Sequence, residues 1–210
     1  KARTSIEIEF TKFIERKIPT YEYLSDEALH IIESNAENVL QEIGVRFSDN
    51  QYALNLWKNA GADVKDDIVR LPKGLAKSLC STIPSKFFQK SRNSERSVEI
   101  GGNSMVLAPV YGPPFIRTVE EGRRYATMSD FNKLVKLGYS SKWLHHSGGT
   151  VCEPTDIPVN KRHLDMLFAH MTLSDKPFMG SVTEPERAED SVEMCKLLFG
   201  ENFVTDNTLM

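Results

Sequence analysis

The residues of this 210-residue sequence best suited to chemistry cluster in its second half. The adjacent pair His145-His146 invites a metal reading, and the pattern around it argues against one. Neighbouring strand residues face opposite sides, so at most one imidazole can enter a site, and no HxH, HExxH or CxxC companion accompanies the pair. No metal ligation is expected. Glu153 follows the run Gly148-Gly149-Thr150 and is either an acidic group at the end of a strand or a solvated residue capping the turn before Pro154. Ser181 and Thr183 are hydrogen-bond donors near a second strand end, and Thr183 has the competing reading of a cap for the helix that opens at Pro185. Tyr111 is the aromatic of Pro109-Val110-Tyr111-Gly112-Pro113-Pro114, a turn without the strand-to-helix context of a phosphate loop. It offers a ring to a ligand or fills a small core beneath the loop. His163 and His170 are seven apart on one helix face, flank an apolar stripe, and read as outer-layer residues.

The elements that must position these groups fall into three stretches. Residues 1–24 read as an amino-terminal arm. Residues 25–126 read as an α+β cap: a helix capped by Ser25 and stopped by Gly44, a second helix starting at Ser48 and ending at Gly61, the two packing as an antiparallel pair. A hairpin turning at Asp66-Asp67, a short helix after Pro72, and short strands around Phe87-Phe88, Val98–Ile100, Met105–Ala108 and Phe115–Val119 follow. Glu120-Glu121-Gly122-Arg123-Arg124 reads as a solvated turn. From residue 127 to 210 the pattern becomes α/β. A helix capped by Thr127 or Ser129 ends at Gly138, a strand runs from Trp143 to Thr150, a helix carries Leu164 to Met171, a strand runs from Phe178 to Thr183, and a helix runs from Pro185 to Gly200, after which a new strand is expected. Strand and helix alternating at this spacing is the signature of parallel βα units joined by right-handed crossovers. An eight-stranded βα barrel takes about 250 residues. The expected fold is therefore α/β, a cap followed by the first two βα units of an incomplete barrel, and the chain reads as the front part of a longer protein.

The charge, 26 basic against 29 acidic residues, gives −3 and no basic field for nucleic acid or an anionic membrane surface. No stretch approaches the roughly 20 apolar residues of a membrane span, and the first ten residues lack a signal-peptide core. Cys80, Cys152 and Cys195 are too few and too widely spaced for a disulfide framework or a metal clip. A cytoplasmic setting fits.

His163-Leu164-Asp165-Met166-Leu167, then Asp175 through Thr183 and Pro185 through Asp190, resemble the trimethylamine methyltransferase family. Glu42 through Phe47, Ala60 through Val64, and Pro84-Ser85 also fit it. The resemblance implies a βα-barrel enzyme moving a methyl group from a methylated amine to the cobalt of a separate corrinoid protein. The corrinoid cofactor belongs to that partner, since nothing here resembles a cobalamin-binding motif. Some members carry pyrrolysine later in the barrel, and others take quaternary amines such as glycine betaine. Such chemistry needs a cradle for a cation, made of aromatic faces and carboxylates at the carboxyl ends of barrel strands. Glu153 and Tyr111 are the candidates for the cation, and Ser181 and Thr183 for a substrate carboxylate. Unpaired strand edges imply self-association into a homo-oligomer and an inactive fragment. The competing reading is a non-catalytic binding module that keeps only the family's front part.

Overall fold

The computed structural model describes residues 11–210, so part of the arm expected over 1–24 lies outside the described residues. It has two compact units, one of Ile18–Pro84 and one of residues 11–17 with Ser85–Met210. The second unit contains the strand β1, Ile14–Glu15. No helix among the described residues is long and apolar enough to cross a membrane.

In the unit Ile18–Pro84, helix α1 (Asp26–Glu42) starts where the Ser25 hydroxyl accepts the Ala28 amide at 3.3 Å. Gly44 stops it at φ +81, and a Cβ there would lie 2.5 Å from the Val69 carbonyl oxygen, so only glycine fits. Strand β2 (Val45–Arg46) follows. Helix α2 (Gln51–Asn59) is capped by Asn50, whose side chain accepts the Ala53 amide at 2.9 Å, and not by Ser48 as expected. Asp49 takes φ +53, and the helix starts two residues later than the Ser48 spacing implies. The hairpin of β3 (Asp63–Lys65) and β4 (Ile68–Arg70) forms as expected, turning at Asp66 with φ +55, and joins β2 in the order β2-β4-β3. Pro72 lies before the helix it was expected to open: α3 (Leu75–Cys80) starts after Gly74. The two longer helices pack on the hairpin, α1 on β4 and α2 on β3, and Leu40 of α1 shares a core with Leu54 and Trp57 of α2. Leu54, Ala62, Val69 and Leu71 form the core. The α1 stripe stays half open, with Leu29, Ile32 and Val39 each more than 50% exposed.

The larger unit begins with a sheet of order β1-β7-β6-β5, built from β5 (Lys86–Gln89), β6 (Val98–Gly101) and β7 (Ser104–Met105). Glu120 through Arg124 is not a free turn, because β8 (Phe115–Thr118) and β9 (Gly122–Tyr125) pair around it as a hairpin. Helix α4 (Met128–Ser140) opens with a capping box between Thr127 and Asp130. Asp130 also takes a bidentate grip from Arg124 at 2.6 and 3.0 Å, which holds its carboxyl well below the usual carboxylate range. Gly138 was expected to end α4 and instead lies buried inside it, where a Cβ would stand 3.6 Å from Pro109. Helices α5 (Val159–Leu173), α6 (Pro185–Phe199) and α7 (Glu201–Asp206) complete the unit, and α7 occupies the place of the strand expected at the end.

The two expected barrel strands are not regular strands: residues 143–150 and 178–183 are extended or bent coil. They nevertheless lie side by side, with the Ser147 amide donating to the Pro177 carbonyl at 2.8 Å and the Met179 amide to the Gly148 carbonyl at 2.9 Å. Both residue numbers rise together, which is the sense of a parallel pairing. A ladder fails here because Pro177 has no amide, Gly148 sits at φ +89, and the Gly148 amide is taken by the His146 side chain at 2.9 Å.

A buried ammonium closes the end of α4. Lys176, 2% exposed, donates from Nζ to the carbonyls of Gly138 at 2.9 Å, Ser141 at 2.8 Å and Leu144 at 2.6 Å. A cation there also suits the negative end of the helix. Lys176→Met keeps the stem and leaves three carbonyls without this donor, so unfolding in urea should show a loss of about 2–4 kcal/mol. Thr127→Ala should cost about 1 kcal/mol by removing the α4 cap. Asp130, with its folded pKa depressed, contributes stability that is full above its unfolded pKa of about 4 and is lost as pH falls below it. Asp130→Asn should flatten that acid limb, which thermal unfolding between about pH 5 and 2 measures directly.

Candidate functional site

Three coil segments converge, and side chains satisfy much of their backbone. Leu107 O accepts the amides of His145 and His146 at 2.9 and 3.2 Å, Gly112 N donates to Thr150 O at 2.6 Å, and Glu153 N donates to Pro113 O at 3.0 Å. Residues 107–113 therefore run beside 145–153, which run beside 177–179, all in one sense. Their carboxyl ends carry Tyr111, the stretch Gly148 to Glu153, and Ser181.

Beneath this end lies His170, 1% exposed. Its Nε2–H donates to the Gly149 carbonyl at 2.7 Å, and its Nδ1 accepts the Ser147 hydroxyl at 2.7 Å. A carbonyl can only accept, so the tautomer follows from the geometry. The ring meets Phe131 edge-on at 5.3 Å and stacks with Phe178 at 6.5 Å. Burial lowers its pKa to about 4, so it is neutral at pH 7. His146 is likewise held neutral by burial, at about 4, and its Nδ1 accepts the Gly148 amide. His145 uses Nδ1 to accept the Leu107 amide at 2.9 Å. The Ser147–His170 contact resembles a nucleophile with its base, yet both residues are about 1% exposed and no reacting group can reach the hydroxyl.

Both imidazoles of the 145–146 pair are thus buried, and each accepts a backbone amide. His163 and His170 are also buried, not on the outer layer. Helix α5 buries His163, Met166, Leu167, Ala169, His170 and Met171, a wide arc in which both histidines lie. His163 Nε2 donates to Asp190 on α6 at 2.7 Å, and its Nδ1 is buried with no hydrogen-bond partner among the described residues. Among the described residues, no group of three or more His, Cys, Asp or Glu side chains is arranged to hold a metal.

Of the sequence candidates, Glu153 and Tyr111 lie on adjoining loops. Glu153 is half-buried and accepts a charged hydrogen bond from Arg162 Nη1, while Arg162 Nη2 donates to Ile157 O at 3.2 Å. Tyr111 is 49% exposed; partial burial raises its phenol pKa, so it is protonated at neutral pH. Its hydroxyl lies against Gly149, where an added Cβ would be 2.3 Å from Oη. Ser181 is half-buried at the end of the third segment, and Thr183 is exposed. Thr183 does not cap α6: the cap position is Glu184, without a side-chain hydrogen bond. Sequence reasoning missed Arg162, Ser147, Gly149 and the clamp made by His170. The one signal available was the density of glycine and small polar residues from Ser147 to Thr150, which marks a backbone that needs help from side chains.

The family model for trimethylamine methyltransferase matches residues 1–210. The chain is 40% identical over 183 residues to the glycine betaine methyltransferase of Desulfitobacterium hafniense (strain Y51), an alignment covering 87% of this chain and 38% of that protein. It is 25% identical over 162 residues to the proline betaine:corrinoid methyltransferase of Eubacterium limosum, covering 76% of this chain and 33% of that protein. The matched region thus spans between 33% and 38% of the length of these relatives. A family match along the whole sequence, supported by the first of these relatives, makes this chain a member of the trimethylamine methyltransferase family.

Proposed function

We propose that the protein takes part in moving a methyl group from a small quaternary amine to the cobalt of a partner corrinoid protein. The observation that carries this reading is the 40% identity over 183 residues to a protein named for glycine betaine, joined by a second relative named for proline betaine. The corrinoid, carried by the partner, supplies the acceptor for the methyl group. The C–N bond breaks with its electron pair remaining on nitrogen, so a neutral tertiary amine group is released and no proton has to be delivered to it.

What this chain supplies is positioning. The Tyr111 ring offers its face to the ammonium, and Glu153 adds charge that Arg162 partly neutralises. Ser181 and Thr183 donate to the carboxylate of a betaine. The same-sense pairing of the three segments supports a βα barrel with this site at the carboxyl ends, completed by further βα units. Three free thiols suit a cytoplasmic location.

Binding of glycine betaine, measured by calorimetry on the protein at its full encoded length, separates these roles. Tyr111→Ala should weaken binding roughly 2- to 30-fold, as expected for loss of a cation–π contact of about 0.5–2 kcal/mol. Tyr111→Phe should bind as the parent does. Glu153→Gln should weaken binding only about 2- to 5-fold, because a half-exposed carboxylate already paired with arginine has little left to offer. A parent protein that binds no quaternary amine would sink the reading, and unchanged affinity in Tyr111→Ala would remove Tyr111 from it.

A further inference from the structure

We propose that His170 and Gly149 are positioning residues that fix the Tyr111 phenol, and that the missing side chain at Gly149 sets the size of the ammonium group the site accepts. The size part of this inference rests on the proposed cation site; the positioning part stands on geometry alone.

Two backbone hydrogen bonds staple the loop of Tyr111 to the segment of Gly149: Gly112 N to Thr150 O at 2.6 Å and Glu153 N to Pro113 O at 3.0 Å. Between them the phenol tip lies so close to the backbone that a Cβ at Gly149 would stand 2.3 Å from Tyr111 Oη, 3.0 Å from Cζ and 3.2 Å from the Met179 carbonyl oxygen. Gly149 is not among the glycines with positive φ, so the position is kept free for the phenol and not for a left-handed turn. The Gly149 carbonyl points the other way, into His170, which holds it at 2.7 Å while Ser147 holds the far nitrogen at 2.7 Å. The ring cannot turn, because both nitrogens are engaged and Phe131 and Phe178 pack against it. Held neutral by burial, it stays a donor to that carbonyl across the neutral range. The chain of contact is therefore short: Ser147 orients His170, His170 fixes the Gly149 peptide, and that peptide supports the phenol. An alanine at 149 must push the phenol away from this backbone, which takes room from the proposed cation site and favours a smaller ammonium.

The test labels the six tyrosines with 3-fluorotyrosine and assigns the Tyr111 fluorine resonance with Tyr111→Phe. In Gly149→Ala that resonance should move while the other five stay in place. His170→Phe should also move it, and His170→Gln, whose carboxamide can still donate to the Gly149 carbonyl, should restore it. Should His170→Phe fail to fold, Gly149→Ala and His170→Gln still decide the matter. In parallel, affinities for glycine betaine and N,N-dimethylglycine are measured on the full-length protein. Gly149→Ala should shift their ratio toward the dimethylated amine by roughly 2- to 30-fold, the range of a gained or lost cation–π contact. A Tyr111 resonance unmoved in Gly149→Ala, with a native near-ultraviolet spectrum, would overturn the positioning. Equal weakening of both amines would overturn the size selection. If the parent binds neither amine while the resonance moves as expected, the cation reading fails and the positioning stands.

Discussion

Buried backbone groups must find partners, and in this protein a run of proline and glycine prevents them from finding one another. Pro109, Pro113, Pro177, Gly148 and Gly149 interrupt the segments between the helices, so side chains complete what a ladder would have done. His145 takes the Leu107 amide, His146 takes the Gly148 amide, His170 donates to the Gly149 carbonyl, and Lys176 collects three carbonyls around the end of α4. Gln89, 3% exposed, donates from one amide nitrogen to the Phe178 carbonyl at 2.9 Å and the Leu209 carbonyl at 3.0 Å, drawing two segments together. Each of these polar side chains would be costly to bury alone. Each is tolerated because it meets a backbone group that would otherwise be equally costly.

That arrangement explains which parts of the fold were legible. Helices with local signals could be read residue by residue: the Ser25 and Thr127 caps, the Gly44 and Gly200 stops, and the Asp66 turn all act within a few residues of the sequence they punctuate. Pairing between segments could not. Nothing local announces that Leu107 will share its carbonyl with two histidine amides, or that Lys176 will reach the Gly138 carbonyl. The strand readings at 143–150 and 178–183 caught the direction and adjacency of these segments and missed their irregularity, because apolar pattern does not record where an amide has been diverted to a side chain.

The histidines show the same limit. His163 and His170 were placed at the margin of a stripe on the assumption that α5 has one buried face. The helix in fact has α4 on one side and α6 on another, so residues at the margin are enclosed. Once enclosed they need partners, and they have found them in Asp190 and in the Gly149 peptide. For the proposed site, Tyr111 and Glu153 were singled out in the sequence as an aromatic and an acidic residue in loops. Arg162 was not, because its pairing with Glu153 depends on how α5 leaves its loop.

Burial also sets the charge of the region at neutral pH. His146 and His170 are held at about 4, the Cys152 thiol is pushed up to about 11, and the Tyr111 phenol is raised as well. All four are uncharged between roughly pH 5 and 9. If the proposed ammonium site lies at the Tyr111 loop, protonated histidines beneath it would add repulsion, and a neutral floor with one partly compensated carboxylate at its edge avoids that. Such a floor suits the proposed methyl transfer, in which the charge belongs to the substrate and the protein has no proton to move.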